Sequence, residues 1–105
     1  MHNGYRRYPR YSVNARALIT SLNDSSSEKL TTQINTISQG GIGFYSNTFL
    51  EKSTPVTVEL LINAFGRIDI LEGRIASICS QENDYFVGIA FDNAISEDRF
   101  AEILG

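Results

Sequence analysis

An all-β fold, a six-stranded antiparallel β-barrel with a short C-terminal α-helix, is predicted by three features of this 105-residue sequence. Six runs read as strands, most of them alternating in parity with a period of two, the spacing that puts successive side chains on opposite faces of a strand. The links between the runs are too short to hold the helical crossovers that parallel strands require. Helical spacing occurs once, near the C-terminus, and supplies a single helix to lie on the barrel. This length closes one core and is too short for two. One domain is expected over 1–105, with a flexible arm over 1–11, the barrel over 12–92 and the helix over 96–104.

Residues 1–4 read as an unstructured lead, and His2 has no role. Val13, Ala15, Ala17 and Ile19 alternate with Ser12, Asn14, Arg16 and Leu18, so the first strand runs from about Ser12 to Thr20. Asn23-Asp24-Ser25-Ser26-Ser27 gathers residues whose side chains bond back to their own backbone, which marks a hairpin loop. Leu30, Thr32, Ile34 and Thr36 share one parity in a second strand from about Lys29 to Ile37. Ser38 to Gly41 is then a tight turn, because Gly40 and Gly41 can take positive backbone angles and leave amide hydrogens exposed. Gly43-Phe44-Tyr45-Ser46 is a short third strand, followed by an irregular link.

The fourth strand starts just after Pro55, with Val56, Val58 and Leu60 alternating with Thr57, Glu59 and Leu61. A turn over Ala64-Phe65-Gly66-Arg67 leads into a long fifth strand from Ile68 to Ser80. Its parity slips around Gly73, which predicts a bulge or bend there. Gln81-Glu82-Asn83-Asp84 is a polar turn. In the sixth strand, Tyr85 to Phe91, the residues Phe86, Gly88 and Ala90 alternate with Tyr85, Val87, Ile89 and Phe91. Ser96 caps the helix, Glu97 and Asp98 favour its dipole, and Phe100, Ile103 and Leu104 share an apolar face.

Composition narrows the function. Hydrophobic residues make up 42% and charged residues 20%, which is the globular range, and no apolar run approaches the roughly 20 residues of a membrane-spanning helix. No membrane association is expected. Cys79 is the only cysteine, so no internal disulfide forms, and the N-terminus lacks a secretory stretch; a cytoplasmic location fits. Net charge is −3 but unevenly spread. Residues 1–23 carry four arginines and no acid, whereas the rest carries five bases against twelve acids, so a +4 arm adjoins a −7 body. Such a body repels an extended polyanion while the arm recruits a small one, which weighs against duplex nucleic acid.

Two stretches carry the chemistry. Tyr5-Arg6-Arg7-Tyr8-Pro9-Arg10-Tyr11 places three guanidinium groups among three tyrosines, and Pro9 keeps the stretch from being a helix interior. Arginine grips a phosphate or a guanine edge with two parallel charge-assisted hydrogen bonds and stacks on planar rings. The second stretch, Ser38-Gln39-Gly40-Gly41-Ile42-Gly43, offers a hydroxyl and amide donors on a turn that a ligand can approach closely. Together they point to a small, planar, anionic ligand held between arm and barrel. Neither a nucleophile and base pair nor a metal-ligand spacing is evident, so the chain is read as a non-enzyme without a resident cofactor.

These residues resemble the PilZ domains, bacterial receptors for the second messenger cyclic di-GMP. The family's Arg-x-x-x-Arg signature is matched by Arg6 and Arg10, with Arg7 between them. Its Asp/Asn-x-Ser-x-x-Gly signature is similar to the segment that contains Ser38, Gly40 and Gly41, and Tyr85 to Phe91 looks like its last strand. The resemblance runs from Tyr5 to Leu104. It implies a six-stranded barrel with a flanking helix and a cyclic di-GMP site formed by Arg6, Arg7, Arg10, Thr36, Ser38, Gly40 and Gly41. One position departs: Thr36 stands where the family has Asp or Asn, and Asn35 precedes it. Adjacent strand residues face opposite sides, so Asn35 cannot replace Thr36 without a local slip. Thr36 lacks the two-point pattern that a carboxylate or amide offers a guanine edge, which predicts weakened binding.

Three readings stay open at this point. The first is a stand-alone cyclic di-GMP receptor that orders its arm on binding and signals to an effector protein. The second is a PilZ-like adaptor without nucleotide binding, which Thr36 favours and the arginines oppose. The third is a single-stranded nucleic-acid binder, since aromatics interleaved with arginines on a small barrel also suit base stacking; the acidic body opposes it.

Overall fold

A computed structural model of the chain describes residues 8–22, 27–62 and 67–104. Six strands and one helix follow in order: β1 (Tyr11–Leu22), β2 (Ser27–Ser38), β3 (Gly41–Ser46), β4 (Pro55–Ile62), β5 (Arg67–Gln81), β6 (Asp84–Phe91) and α1 (Glu97–Leu104). They close into an antiparallel barrel in the order β1-β2-β3-β6-β5-β4, with β4 hydrogen-bonded back to β1. The long link after β3 takes the chain to the far side of the barrel, so that β3 pairs with β6 instead of β4. Leu50 of that link is buried with the core. The expected loops over 23–27 and 64–67 fall almost wholly outside the described residues.

The inward parity of each strand fills the barrel. Ile19, Ile34, Ile37, Phe44, Val56, Val58, Leu60, Ile75 and Val87 are the largest fully buried side chains. Burial of each such side chain stabilises the fold by about 1.5–3 kcal/mol, which is why the alternation was legible. The polar turn before β6 is a hairpin whose flanking residues Gln81 and Asp84 pair directly.

Three irregularities depart from simple alternation. The bend expected around Gly73 lies instead between Ile75 and Ser77, where the β5–β6 register shifts. Leu71, Gly73 and Ile75 keep an unbroken inward parity, and Ala76 and Ser77 are then both exposed. Gly73 answers a different need, since a Cβ there would stand 2.3 Å from the Ala90 carbonyl oxygen. In β2 the expected common parity of Ile34 and Thr36 is broken. The β2–β3 register shifts between them, and Ile37 takes the next buried place. Asn35 is the extra residue, and β1 answers with its own shift between Ser12 and Ala15. Bulges of this kind re-aim side chains.

The helix begins as its sequence implies. The Ser96 hydroxyl accepts the Arg99 N–H at 3.3 Å, and Glu97 and Asp98 occupy the first turn. Phe100 and Ile103 are buried, but Leu104, expected on the same face, is exposed. Arg99 reaches across to β5 and donates two hydrogen bonds, at 2.9 and 3.1 Å, to one carboxylate oxygen of buried Asp69. That ion pair fixes the helix against the barrel.

Candidate functional site

The outer face of β2, β3, β6 and β5 carries a cleft of about 210 Å³. Its floor is one row across four strands: Thr36 pairs with Gly43, Gly43 with Gly88, and Gly88 with Ser77. Two glycines in the middle leave the floor low. A Cβ at Gly43 would meet the Thr36 hydroxyl and the Phe86 ring, each at 2.8 Å, and a Cβ at Gly88 would meet the Ser77 hydroxyl at 2.6 Å. Thr36 and Ser77 thus lean over the glycines from either side, with Phe86 as an aromatic wall. The Phe86 ring is held edge-on by Tyr45, with centroids 4.9 Å apart.

The bulge at Asn35 sets this row. By absorbing one residue of β2, it pairs Thr36 with Gly43 on the outer face while Ile34 and Ile37 stay inside. The slip that Asn35 would need in order to act at this position therefore exists, yet it places Thr36, not Asn35, on the cleft.

The turn between β2 and β3 forms the upper rim. Ser38, Gly40 and Gly41 all line the cleft, together with Arg10. The reason for the glycines differs from the sequence expectation. Among the described residues, the left-handed backbone region is occupied by Ser53 and by no glycine. What Gly41 requires is room: a Cβ would stand 2.1 Å from the Ile89 carbonyl oxygen. Gly40 carries the Tyr8 ring, 3.1 Å from where its own Cβ would be. The Gly40 amide is also less open than expected, for it donates to the Ser38 hydroxyl at 3.1 Å. Ser38 keeps its own hydrogen to donate.

Of the three arginines, Arg6 and Arg7 lie outside the described residues, and Arg10 is brought to the cleft. Tyr8 on Gly40 and Tyr11 on Phe100, with centroids 5.7 Å apart, pin both sides of Arg10 to the barrel. The cleft thus unites Arg10, Thr36, Ser38, Gly40 and Gly41. It adds Ala76, Ser77, Phe86, Gly88 and Ala90, which the motifs did not mark. One signal for the last three was present, since Phe86, Gly88 and Ala90 share the outward parity of β6, where small residues are unusual without a reason. Chemically, the cleft offers a cation, three hydroxyls, an aromatic wall and a floor of small residues that a flat ring can approach. Among the described residues, no group of three acidic, histidine or cysteine side chains is arranged to hold a metal ion, and no helix is long and apolar enough to cross a membrane.

The sequence matches a family model described as PilZ domain over residues 5–104. Among curated proteins, none gives a significant sequence match. Solved structures match in fold. The inhibitor of motility MotI/DgrA of Bacillus subtilis is similar with a TM-score of 0.72 and 15% identity, covering 93% of this chain and 47% of that one. The PilZ domain of YcgR from Escherichia coli, solved with c-di-GMP, is similar with a TM-score of 0.67 and 21% identity over 93% and 85%. The K. pneumonia MrkH complex with c-di-GMP gives a TM-score of 0.67 and 16% identity over 97% and 50%. The chain spans about half the length of MotI/DgrA and MrkH.

Proposed function

Because this chain belongs to the PilZ domain family, we propose that it is a receptor module for cyclic di-GMP. It holds the dinucleotide between the arginine segment and the outer barrel face and relays the bound state to a protein partner. The observation that carries this reading is the meeting of Arg10 with Thr36 and Ser38 around one low-floored cleft. Two of the structures similar in fold were solved with c-di-GMP, which supports the ligand class.

The roles follow from the chemistry of each group. Arg10 neutralises a phosphate or takes a guanine edge with a charge-assisted pair of bonds. Arg6 and Arg7 complete the clamp on the second phosphate and the exposed face of a base. Thr36, Ser38 and Ser77 give hydroxyls to the base edge, and the absence of Cβ atoms at Gly43 and Gly88 lets a purine settle against Phe86. The protein acts by binding and not by catalysis, needs no cofactor, and works in the cytoplasm. A small dianionic ligand suits the charge pattern, as the acidic body disfavours long nucleic acids.

Isothermal titration with cyclic di-GMP, with GTP as the control, tests the proposal. Saturable binding of cyclic di-GMP alone supports a receptor. A flat titration refutes it and leaves the adaptor reading, to which the single hydroxyl of Thr36 already points.

A further inference from the structure

A second concavity lies on the other side of the segment that borders the cleft. It measures about 510 Å³ and is formed by β5, the β6–α1 connection and the start of α1, with Ile70, Leu71, Glu72, Asp92, Ala94 and Arg99 among its lining residues. Ile70 is 60% exposed, the most exposed large hydrophobic side chain among the described residues. Lone exposed aliphatics are ordinary, but this one stands in a groove. Among the described residues, the charges around it that stand outside an ion pair are acidic. Arg99 is drawn onto Asp69, which neutralises the positive group there. Glu72 and Asp92 are exposed and are brought together by the bond from the Asp92 N–H to the Glu72 carbonyl at 2.8 Å, and Glu97 and Asp98 are exposed on the adjoining helix turn.

We infer that this β5–α1 groove docks a segment of a protein partner in which lysine or arginine adjoins an aliphatic side chain. The aliphatic group covers Ile70, and the cation meets Glu72 and Asp92. An acidic body with a concave, partly apolar, carboxylate-rimmed groove is complementary to that chemistry and repels its opposite.

The cleft and the groove are lined by successive stretches of one chain segment, which walls each of them with different residues. Ile89 and Ala90 line the cleft, and the chain from Asp92 to Ser96 lines the groove. That segment is tied to the β2–β3 turn at three points. Gly40 accepts the Phe91 N–H at 2.9 Å, Gln39 accepts the Ile95 N–H at 2.8 Å, and the Gln39 side-chain amide donates to the Ile95 carbonyl at 2.9 Å. A ligand that shifts the turn therefore moves the groove wall with it, so docking is coupled to nucleotide occupancy. This second statement rests on the cyclic di-GMP reading, while the docking chemistry stands without it.

A displayed random peptide library, selected on the intact chain and depleted on the Glu72→Lys/Asp92→Lys double variant, tests the docking surface. Enrichment of peptides with Lys or Arg beside Leu, Ile or Val is expected, with affinity for the double variant lower by about tenfold or more. Both variant side chains lie outside the cleft, so the double variant should still bind nucleotide. Enrichment of acidic peptides, a selection that does not discriminate the variant, or a dimer in light scattering that buries the groove overturns the assignment. Coupling is read from the affinity of one selected peptide with and without saturating cyclic di-GMP. A change of about fivefold or more is expected in the wild type and a smaller one in Gln39→Met, which keeps the length but removes the amide and with it one of the three ties. No change in a wild type that binds nucleotide overturns the coupling, and an equal response in Gln39→Met overturns the part assigned to the side-chain amide. If calorimetry finds no nucleotide binding at all, the receptor reading fails and the peptide selection still decides the docking.

Discussion

Two glycine substitutions in the same cleft should have opposite consequences. At Gly41 a methyl group would stand 2.1 Å from the Ile89 carbonyl oxygen and 3.2 Å from its carbon. Those atoms belong to the backbone of β6 and cannot turn away, so the β3–β6 ladder must open. Overpacking of this kind costs about 1–3 kcal/mol. For a domain of this length that is about 5–14 °C in Tm. At Gly88 the obstacle is the Ser77 hydroxyl at 2.6 Å, with the Ser77 Cβ at 3.9 Å. Ser77 is exposed and can rotate about one bond, so Gly88→Ala should melt within a few degrees of the wild type, with a cost below about 1 kcal/mol. The new methyl then fills the floor where a base would lie, and cyclic di-GMP affinity should fall by about tenfold. That figure corresponds to about 1.4 kcal/mol lost through displaced contacts. Differential scanning calorimetry and isothermal titration on both variants give the comparison. If Gly41→Ala melts like the wild type, the close approach is not what demands glycine. If Gly88→Ala binds like the wild type, the ligand does not use this floor.

Other perturbations probe separate groups. Arg10→Ala removes a charge-assisted contact and should weaken cyclic di-GMP by about 1.5–3 kcal/mol, or roughly ten- to a hundredfold, without changing Tm by more than a degree or two; superimposable titration curves would count against the clamp. Arg6→Ala and Arg7→Ala should each weaken binding in the same sense, and raising salt should weaken the wild type most. Thr36→Asn supplies a second polar atom to the base edge and should tighten binding by about two- to tenfold, the equivalent of one ordinary hydrogen bond; unchanged or weaker binding by calorimetry would mean that the turn, not this side chain, reads the base. Arg99→Ala removes a partner of buried Asp69. Because the Arg99 side chain is 37% exposed, the loss should be moderate, about 1–2 kcal/mol in urea unfolding, and a variant as stable as the wild type would show that α1 is held without this ion pair.

The strands were legible because a half-buried strand writes its faces into alternate residues, and Ala15, Ala17, Ile19 and Val56, Val58, Leu60 do so without interruption. The bulges were not. Ile34 and Ile37 are both buried three positions apart, and a reading that keeps strict parity has to put Thr36 inside with Ile34. Only the pairing with β3 shows that Asn35 is the supernumerary residue. Gly73 attracted the predicted bend because glycine is the usual bend residue, yet it marks a close backbone approach to Ala90, and the slip falls where Ala76 and Ser77 carry no side chain large enough to announce a face. The site divides the same way. Arg10, Ser38, Gly40 and Gly41 belong to two short segments marked by their local chemistry, and Thr36 was marked by the family resemblance. Ser77, Phe86 and Gly88 reach the cleft because the barrel closes with β6 between β3 and β5, an order that no local pattern contains.

The departure at Thr36 takes on a different meaning once that closure is known. A strand residue is fixed by its partners, and Thr36 is held between Ser12 of β1 and Gly43 of β3. Asn35 cannot be exchanged for it unless both ladders slip, which would move Ile34 and Ile37 out of the core at about 1.5–3 kcal/mol each. The amide next door is therefore no substitute for the missing Asp or Asn. Compensation is available on the other side of the glycine pair, where the Ser77 hydroxyl stands over Gly88 much as the Thr36 hydroxyl stands over Gly43. A base on this floor would meet one hydroxyl at each edge in place of two polar atoms at one edge. If that is how the chain retains its ligand, Ser77→Ala should weaken cyclic di-GMP binding by about two- to tenfold in the Thr36 background and by less in Thr36→Asn. Equal losses in the two backgrounds would show that the two positions act independently and that Ser77 does not stand in for the missing side chain.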